Sequence, residues 1–135
     1  MAAKILVVDD EPQFERLILQ RFRRQAREGK YEFLFAQNGV EALDVLARNT
    51  GIDMVLTDIN MPKMDGISFI QEIREDPLLK DAVIFVFTTS KAETDQKAAY
   101  NLNVAGYVVK TQLPNGFDEL MNMLGWYIRI VEFTT

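Results

Sequence analysis

Met54-Val55-Leu56-Thr57-Asp58-Ile59-Asn60-Met61-Pro62-Lys63-Met64-Asp65-Gly66 is the stretch whose reading decides the fold of this chain. Its first four residues form a short strand-like run that stops on an aspartate. Turn chemistry follows at Asn60 and Pro62, and Asp65-Gly66 has the character of a helix N-cap and first turn. The stretch predicts a buried strand that turns sharply into a helix, with Asp58 at the strand's carboxyl end. Open α/β sheets place their ligand sites outside that edge. A single aspartate beside Asn and Pro is equally well a solvated loop acid, so the other strands have to decide between the two readings.

Working outward, three more strand-like runs end in groups suited to common chemistry. Lys4-Ile5-Leu6-Val7-Val8 runs into Asp9-Asp10-Glu11, residues 83–87 run into Thr88-Thr89-Ser90, and Gly106-Tyr107-Val108-Val109 runs into Lys110. Residues 31–36 are a further β-rich run, second in chain order. Between the strands, apolar residues recur at helical spacing. Leu17, Ile18, Phe22 and Ala26 follow Pro12, with Gly29 and Lys30 closing that first helix; Val40, Leu43, Leu46 and Ala47 follow Asn38-Gly39; Ile67, Ile70 and Ile73 follow Asp65, up to Asp76-Pro77. Residues 92–103 carry Ala98, Ala99 and Leu102, and a last helix begins at Phe117. Asn38-Gly39 could turn a hairpin, but the period of three to four after it predicts a helix. This β-α alternation predicts the α/β class and a doubly wound parallel sheet with right-handed crossovers.

At 135 residues, 48% hydrophobic and 26% charged, the chain fits one domain with a real core, and no linker or repeat divides it. The expectation is a single domain over 1–135 with a short C-terminal tail and no output domain. Its longest apolar run is a strand's length, so neither a membrane span nor a signal peptide is expected, and a cytoplasmic protein is. The sequence has no cysteine and no histidine. Thiolate and imidazole chemistry are thereby excluded, and any catalysis must use carboxylate, hydroxyl and amine. A net charge of -5 argues against nucleic-acid binding. Arg16, Arg21, Arg23, Arg24 and Arg27 read as the solvated outer side of the first helix.

Adjacent carboxylates at a strand end repel, and one natural use of them is to hold a hard divalent cation through oxygen ligands. Mg²⁺ fits, with Asp10 and Asp58 as direct ligands and Asp9 acting through water. An acidic cluster complementing the N-terminus of the first helix accounts for residues 9–11 as well. Phosphoryl transfer needs charge neutralised on the moving group and little else from the protein. A nucleophilic carboxylate at Asp58, a cation, the Lys110 ammonium and the Thr88 hydroxyl would suffice.

Taken in order, Val7-Val8-Asp9-Asp10-Glu11-Pro12, Leu56-Thr57-Asp58-Ile59-Asn60-Met61-Pro62-Lys63-Met64-Asp65-Gly66, Phe87-Thr88-Thr89-Ser90 and Gly106-Tyr107-Val108-Val109-Lys110 resemble the receiver domains of two-component response regulators over essentially the whole chain. The resemblance implies a flavodoxin-like (βα)5 fold with a five-stranded parallel sheet of order 2-1-3-4-5. It implies that a histidine kinase or phosphotransfer protein phosphorylates Asp58, and that the protein then switches conformation to regulate a partner. Mg²⁺ would be held by Asp9, Asp10, Asp58 and the backbone carbonyl of Asn60. Lys110 would pair with the phosphoryl group, Thr88 would move toward it, and Tyr107 would be the aromatic switch. The resemblance also implies a protein that catalyses only its own phosphorylation and dephosphorylation. One departure is Thr111 after Lys110, where receivers usually carry proline. That departure, the Thr88-Thr89-Ser90 run and a Trp-bearing tail look similar to the small single-domain receivers that partner phytochrome-type kinases.

The runner-up is a Mg²⁺-dependent phosphatase of a related α/β fold, although Glu11 stands where such an enzyme's second acid would. Asp9-Asp10-Glu11 would repel the phosphate of a flavodoxin-type cofactor, and no Gly-x-x-x-x-Gly-Lys-Ser/Thr run supports a nucleotide switch. Asn60 and Ser90, each two residues beyond a key site residue, are expected to border the path of the water that attacks the acyl phosphate. Phe14 reads either as a core end or as an exposed docking residue for the kinase. In the last helix Phe117, Leu120, Met121, Leu124, Ile128 and Val131 form one apolar stripe, Met123, Trp126 and Ile130 a second, and Tyr127 lies between them. So wide an arc predicts a homodimer through the fourth helix, fifth strand and fifth helix, the alternative being a tail folded back over it. No nucleic acid or membrane partner is expected.

Overall fold

In the computed structural model, which describes residues 3–110 and 117–130, the strand-like runs pair in parallel into one sheet. The strands are β1 (Ala3–Val8), β2 (Tyr31–Ala36), β3 (Met54–Thr57), β4 (Val83–Thr88) and β5 (Gly106–Val109). Their order is β2-β1-β3-β4-β5, as the resemblance implied. The helices are α1 (Pro12–Arg21), α2 (Arg23–Arg27), α3 (Gly39–Arg48), α4 (Gly66–Glu75), α5 (Glu93–Asn101) and α6 (Phe117–Ile130).

Side chains alternate across a strand, so each strand feeds two cores. Leu6, Val8, Val55, Ile84 and Val86 pack with Ala42, Leu46, Phe69, Ile70, Ile73 and Ala99 of α3, α4 and α5. Ile5, Val7, Met54, Leu56, Phe85 and Phe87 pack on the opposite face with Phe14, Ile18, Phe22, Leu120, Met121 and Leu124. Covering on both faces explains why the strands read as nearly continuous apolar runs. Asp65 caps α4 as expected, accepting a hydrogen bond from the Ser68 N–H at 2.8 Å. Asn38 caps α3, accepting from the Glu41 N–H at 3.0 Å, so Asn38-Gly39 opens a helix rather than a hairpin. No helix among the described residues is long and apolar enough to cross a membrane.

The helices differ from the sequence reading in detail. The first helix is broken at Phe22 (φ -108°, ψ 22°) into α1 and α2. Its inward line is Phe14, Ile18 and Phe22, four residues apart, whereas Leu17 and Ala26 are exposed. In α3 the buried residues are Gly39, Ala42 and Leu46, while Val40 and Ala47 face out. A period of three to four identifies a helix but leaves its rotation about its own axis to the packing partner.

Arg74, which no motif singled out, ties the far end of the molecule together. From α4 its guanidinium donates to the carbonyls of Leu102 (2.7 Å), Lys80 (2.7 Å), Ala82 (2.8 Å) and Asn103 (3.1 Å). One rigid fork thus satisfies the loops entering both β4 and β5. Arg74→Met keeps the stem and strands these acceptors. It is expected to lower the unfolding free energy by about 2–3 kcal/mol in urea titrations with an unchanged m-value.

Candidate functional site

The sheet ladders continue just past the strand ends and so fix where the acids stand. The Asp58 N–H donates to the Val8 carbonyl at 2.9 Å and the Asp9 N–H to the Ala36 carbonyl at 3.0 Å. Asp9 and Asp58 are thereby held at neighbouring strand tips. One carboxylate oxygen from each of Asp9, Asp10 and Asp58 can be chosen so that all three lie within 4.8 Å of one another. Asp58 is 6% exposed. Its Oδ1 accepts the Ile59 N–H at 2.6 Å and the Asn60 N–H at 3.4 Å. Its Oδ2 faces Lys110 Nζ at 3.6 Å.

Lys110 reaches in from the end of β5. Its ammonium donates to Asp9 Oδ2 at 2.8 Å and lies 3.6 Å from Glu11 Oε1. It also sits 5.1 Å from the Phe14 ring centroid and 5.2 Å from that of Phe87. These rings, 5.1 Å apart, form an apolar seat with cation–π character under the charge. Phe14 is therefore the core end of its two readings and not an exposed docking residue: it is buried, and its ring serves Lys110. Nothing in the sequence pointed to Phe14 and Phe87 as a pair, because they come from a helix and a strand far apart in the chain.

Burial pushes the Asp9 carboxyl above its ordinary value, against the hydrogen bonds from Lys110 and the Glu11 N–H. Burial acts to lower the Lys110 ammonium, but its hydrogen bond to Asp9 and the charges of Asp9, Asp58 and Glu11 outweigh that effect and raise it. Lys110 is thus charged at neutral pH. Carboxylates outnumber the single ammonium here, and the excess negative charge is carried on hard oxygens. That donor set fits a hard divalent cation, although Asp9 could turn fully to it only by giving up part of its contact with Lys110.

The other expected site residues are placed as follows. Thr88, fully buried at the end of β4, accepts the Ser90 N–H on Oγ1 at 3.3 Å. Tyr107 is half-buried, and its hydroxyl donates to the Ser90 carbonyl at 3.0 Å. Asn60 is exposed at the rim, and Asp10 is exposed beside Asp58. Ser90 turns its hydroxyl to Asp95 of α5 (2.6 Å). Thr111 and its loop lie outside the described residues. Gly66 does more than start a helix: a Cβ there would collide with the Asp58 carbonyl oxygen and crowd the Ile59 Cα. The Gly66 N–H also closes the loop onto the Ile59 carbonyl at 2.8 Å, so the glycine lets α4 begin directly against the residue that carries the site.

The Asp9–Lys110 contact sets a pH dependence. A raised lysine contributes stability that is fully present below its ordinary value of 10.5 and is lost as pH rises through the folded value. A raised carboxyl works the other way: it favours the protonated form, so the fold gains as pH falls through its folded value. Lys110→Met should therefore destabilise the fold near pH 7. The deficit should shrink at acidic pH as Asp9, without its cation, takes up a proton. Urea titrations of both proteins at the two pH values check this, and an equal deficit at both would remove the electrostatic account.

The response regulator receiver domain model matches residues 5–124. The chain is 33% identical over 123 residues to a chemotaxis protein CheY homolog of Campylobacter jejuni, covering 90% of this chain and 92% of that one. Its fold superimposes on the phosphorylated cyanobacterial phytochrome response regulator RcpA with a TM-score of 0.88 and 27% identity, over 100% of both chains. It also matches the response regulator TrrA of Thermotoga maritima, solved in complex with Mg²⁺-BeF, with a TM-score of 0.71 and 32% identity over 92% of this chain and 97% of that one. With carboxylates and a lysine converging at the sheet edge and a family match over most of its length, the chain belongs to the response regulator receiver domains of two-component signalling.

Proposed function

We propose that this receiver accepts a phosphoryl group from a histidine kinase or phosphotransfer protein onto Asp58, with Mg²⁺, and switches conformation to regulate a partner. The observation that carries the proposal is the buried Asp58 carboxylate, with Oδ1 held by two backbone N–H groups and Oδ2 facing the Lys110 ammonium. Oδ2 attacks phosphorus and the P–N bond of the phosphohistidine breaks. The bonding electrons return to the imidazole nitrogen, and an acyl phosphate is left on Asp58. Hydrolysis reverses the loading: water attacks phosphorus, the P–Oδ2 bond breaks, and the carboxylate and inorganic phosphate separate.

Asp9, Asp10, Asp58 and the Asn60 carbonyl would hold the cation, which when bound neutralises charge on the moving phosphoryl group. Lys110, already 3.6 Å from Oδ2, exchanges part of its contact with Asp9 for a phosphoryl oxygen. Thr88 donates its hydroxyl to another, and Tyr107 follows through the loop at Ser90. Incubation with acetyl phosphate and Mg²⁺, followed by intact mass, is expected to show one added phosphoryl group on the wild type. None should appear on Asp58→Asn or in excess chelator. Label on that variant would overturn the assignment, and repeated turnover of a free phosphomonoester would favour a phosphatase.

The same reading includes self-association through α5, β5 and α6. Trp126 and Ile130 are 59% and 68% exposed, and Tyr100 of α5 is also largely exposed. Tyr127, between the two stripes of α6, packs inward edge-to-face on Phe85 at 4.9 Å. The last residue of the inner stripe, Val131, and the tail after it lie outside the described residues. Covering Trp126 in a partner should contribute about 2 kcal/mol or more to association, as buried aromatic anchors do. Sedimentation is expected to show a dimer at tens of micromolar that Trp126→Ala weakens by about tenfold or more. A monomer under all conditions, with and without a phosphoryl mimic, would overturn it.

A further inference from the structure

Every polar atom of Ser90 is engaged. Its N–H donates to Thr88 Oγ1 at 3.3 Å and its carbonyl accepts the Tyr107 hydroxyl at 3.0 Å. Its hydroxyl donates to Asp95 Oδ2 at 2.6 Å while accepting the Ala92 N–H at 3.3 Å. One residue thus joins the buried Thr88 at the site, Tyr107 on the edge strand β5, and the first turn of α5. The second tie between β5 and α5 is the Tyr107 N–H, which donates to the Tyr100 hydroxyl at 3.1 Å. An acid in the first turn of a helix is ordinarily explained by the helix dipole alone. A half-buried carboxylate 2.6 Å from a hydroxyl does more, because it makes a short charge-assisted hydrogen bond that selects one geometry of the loop.

We propose that Asp95 is a positioning residue for the chemistry at Asp58: by holding the Ser90 hydroxyl it clamps the loop between β4 and α5 closed beside the site, and so sets the lifetime of the acyl phosphate. The inference rests on the phosphoacceptor reading above. While the clamp holds, the Ser90 hydroxyl points to α5 and the Ser90 N–H keeps Thr88 Oγ1 in place. When it is lost the loop opens, the hydroxyl is freed, and water reaches the phosphorylated carboxylate more readily. Losing a hydrogen bond to a charged acceptor shifts the closed-to-open ratio of the loop by about tenfold.

Wild type, Asp95→Ala, Asp95→Asn, Ser90→Ala and the Asp95→Ala/Ser90→Ala double variant are each loaded with acetyl phosphate and Mg²⁺ and freed of donor, and the decay of the phosphorylated mass is followed. Asp95→Ala and Ser90→Ala are each expected to shorten the half-life by about threefold or more, and the double variant no further than either single one. Asp95→Asn keeps an acceptor but loses the charge assistance, and its half-life should fall between those of wild type and Asp95→Ala. A helix-dipole role predicts the reverse: Asn fails like Ala, and the Asp95 effect adds to that of Ser90→Ala. That pattern, or unchanged half-lives, overturns the clamp while leaving the phosphoacceptor reading intact. Wild type that takes up no phosphoryl group overturns both. Because Ser90→Ala breaks the bond from its other side, a misfolded Asp95→Ala does not remove the test.

Discussion

Mutual repulsion among Asp9, Asp10 and Asp58 is the constraint on which the carboxyl end of this sheet depends. Oxygens of the three carboxylates lie within 4.8 Å of one another, and Asp9 and Asp58 are withdrawn from the solvent that screens the exposed Asp10. The fold tolerates this repulsion because the ladder fixes the backbone: the Asp58 N–H is bonded to Val8 and the Asp9 N–H to Ala36, so the side chains have no strand-level freedom to separate. Relief has to come from positive charge, and Lys110, seated on Phe14 and Phe87, supplies one unit of it. The remaining negative charge makes the site receptive to a cation.

Because Lys110 is shared between Asp9 at 2.8 Å and Asp58 at 3.6 Å, a small displacement redistributes charge across the site. The neighbouring β4–α5 loop is tied into the same end of β4. Thr88, Ser90, Tyr107 and Asp95 form one hydrogen-bonded chain from the buried end of β4 to the first turn of α5. Burial also pushes the Tyr107 phenol above its ordinary range, against its hydrogen bond to Ser90, so it remains a donor throughout the neutral range. The opposite end of the molecule is fastened separately by Arg74, whose four bonds hold the loops entering β4 and β5. Rearrangement at the site end therefore need not disturb the strand starts.

Much of the fold and site was legible in the chain because both depend on local order. Strands covered on both faces must be apolar throughout, and a parallel sheet with helical crossovers brings the residues after each strand to one edge. Asp9, Asp10, Asp58, Thr88 and Lys110 could thus be assigned to one place from their positions after strand-like runs. The N-caps at Asn38 and Asp65 were equally local.

What the sequence left open was decided by groups distant in the chain. Leu17, Val40, Ala47 and Ala26 belong to helices correctly placed yet face outward, because a helix is rotated by the surface it packs on and not by its own period. Phe14 became a seat for Lys110 only when α1 was laid against β4. Gly66 proved indispensable only when α4 met the Asp58 carbonyl. Ser90 takes its hydroxyl partner from α5, where Asp95 accepts it at 2.6 Å. Sequence by itself determined which residues reach the carboxyl edge of the sheet, because strand direction carries them there. Tertiary structure alone decided which partner each takes, because hydrogen bonds and ion pairs depend on distances of a few tenths of an ångström that spacing along a chain does not encode.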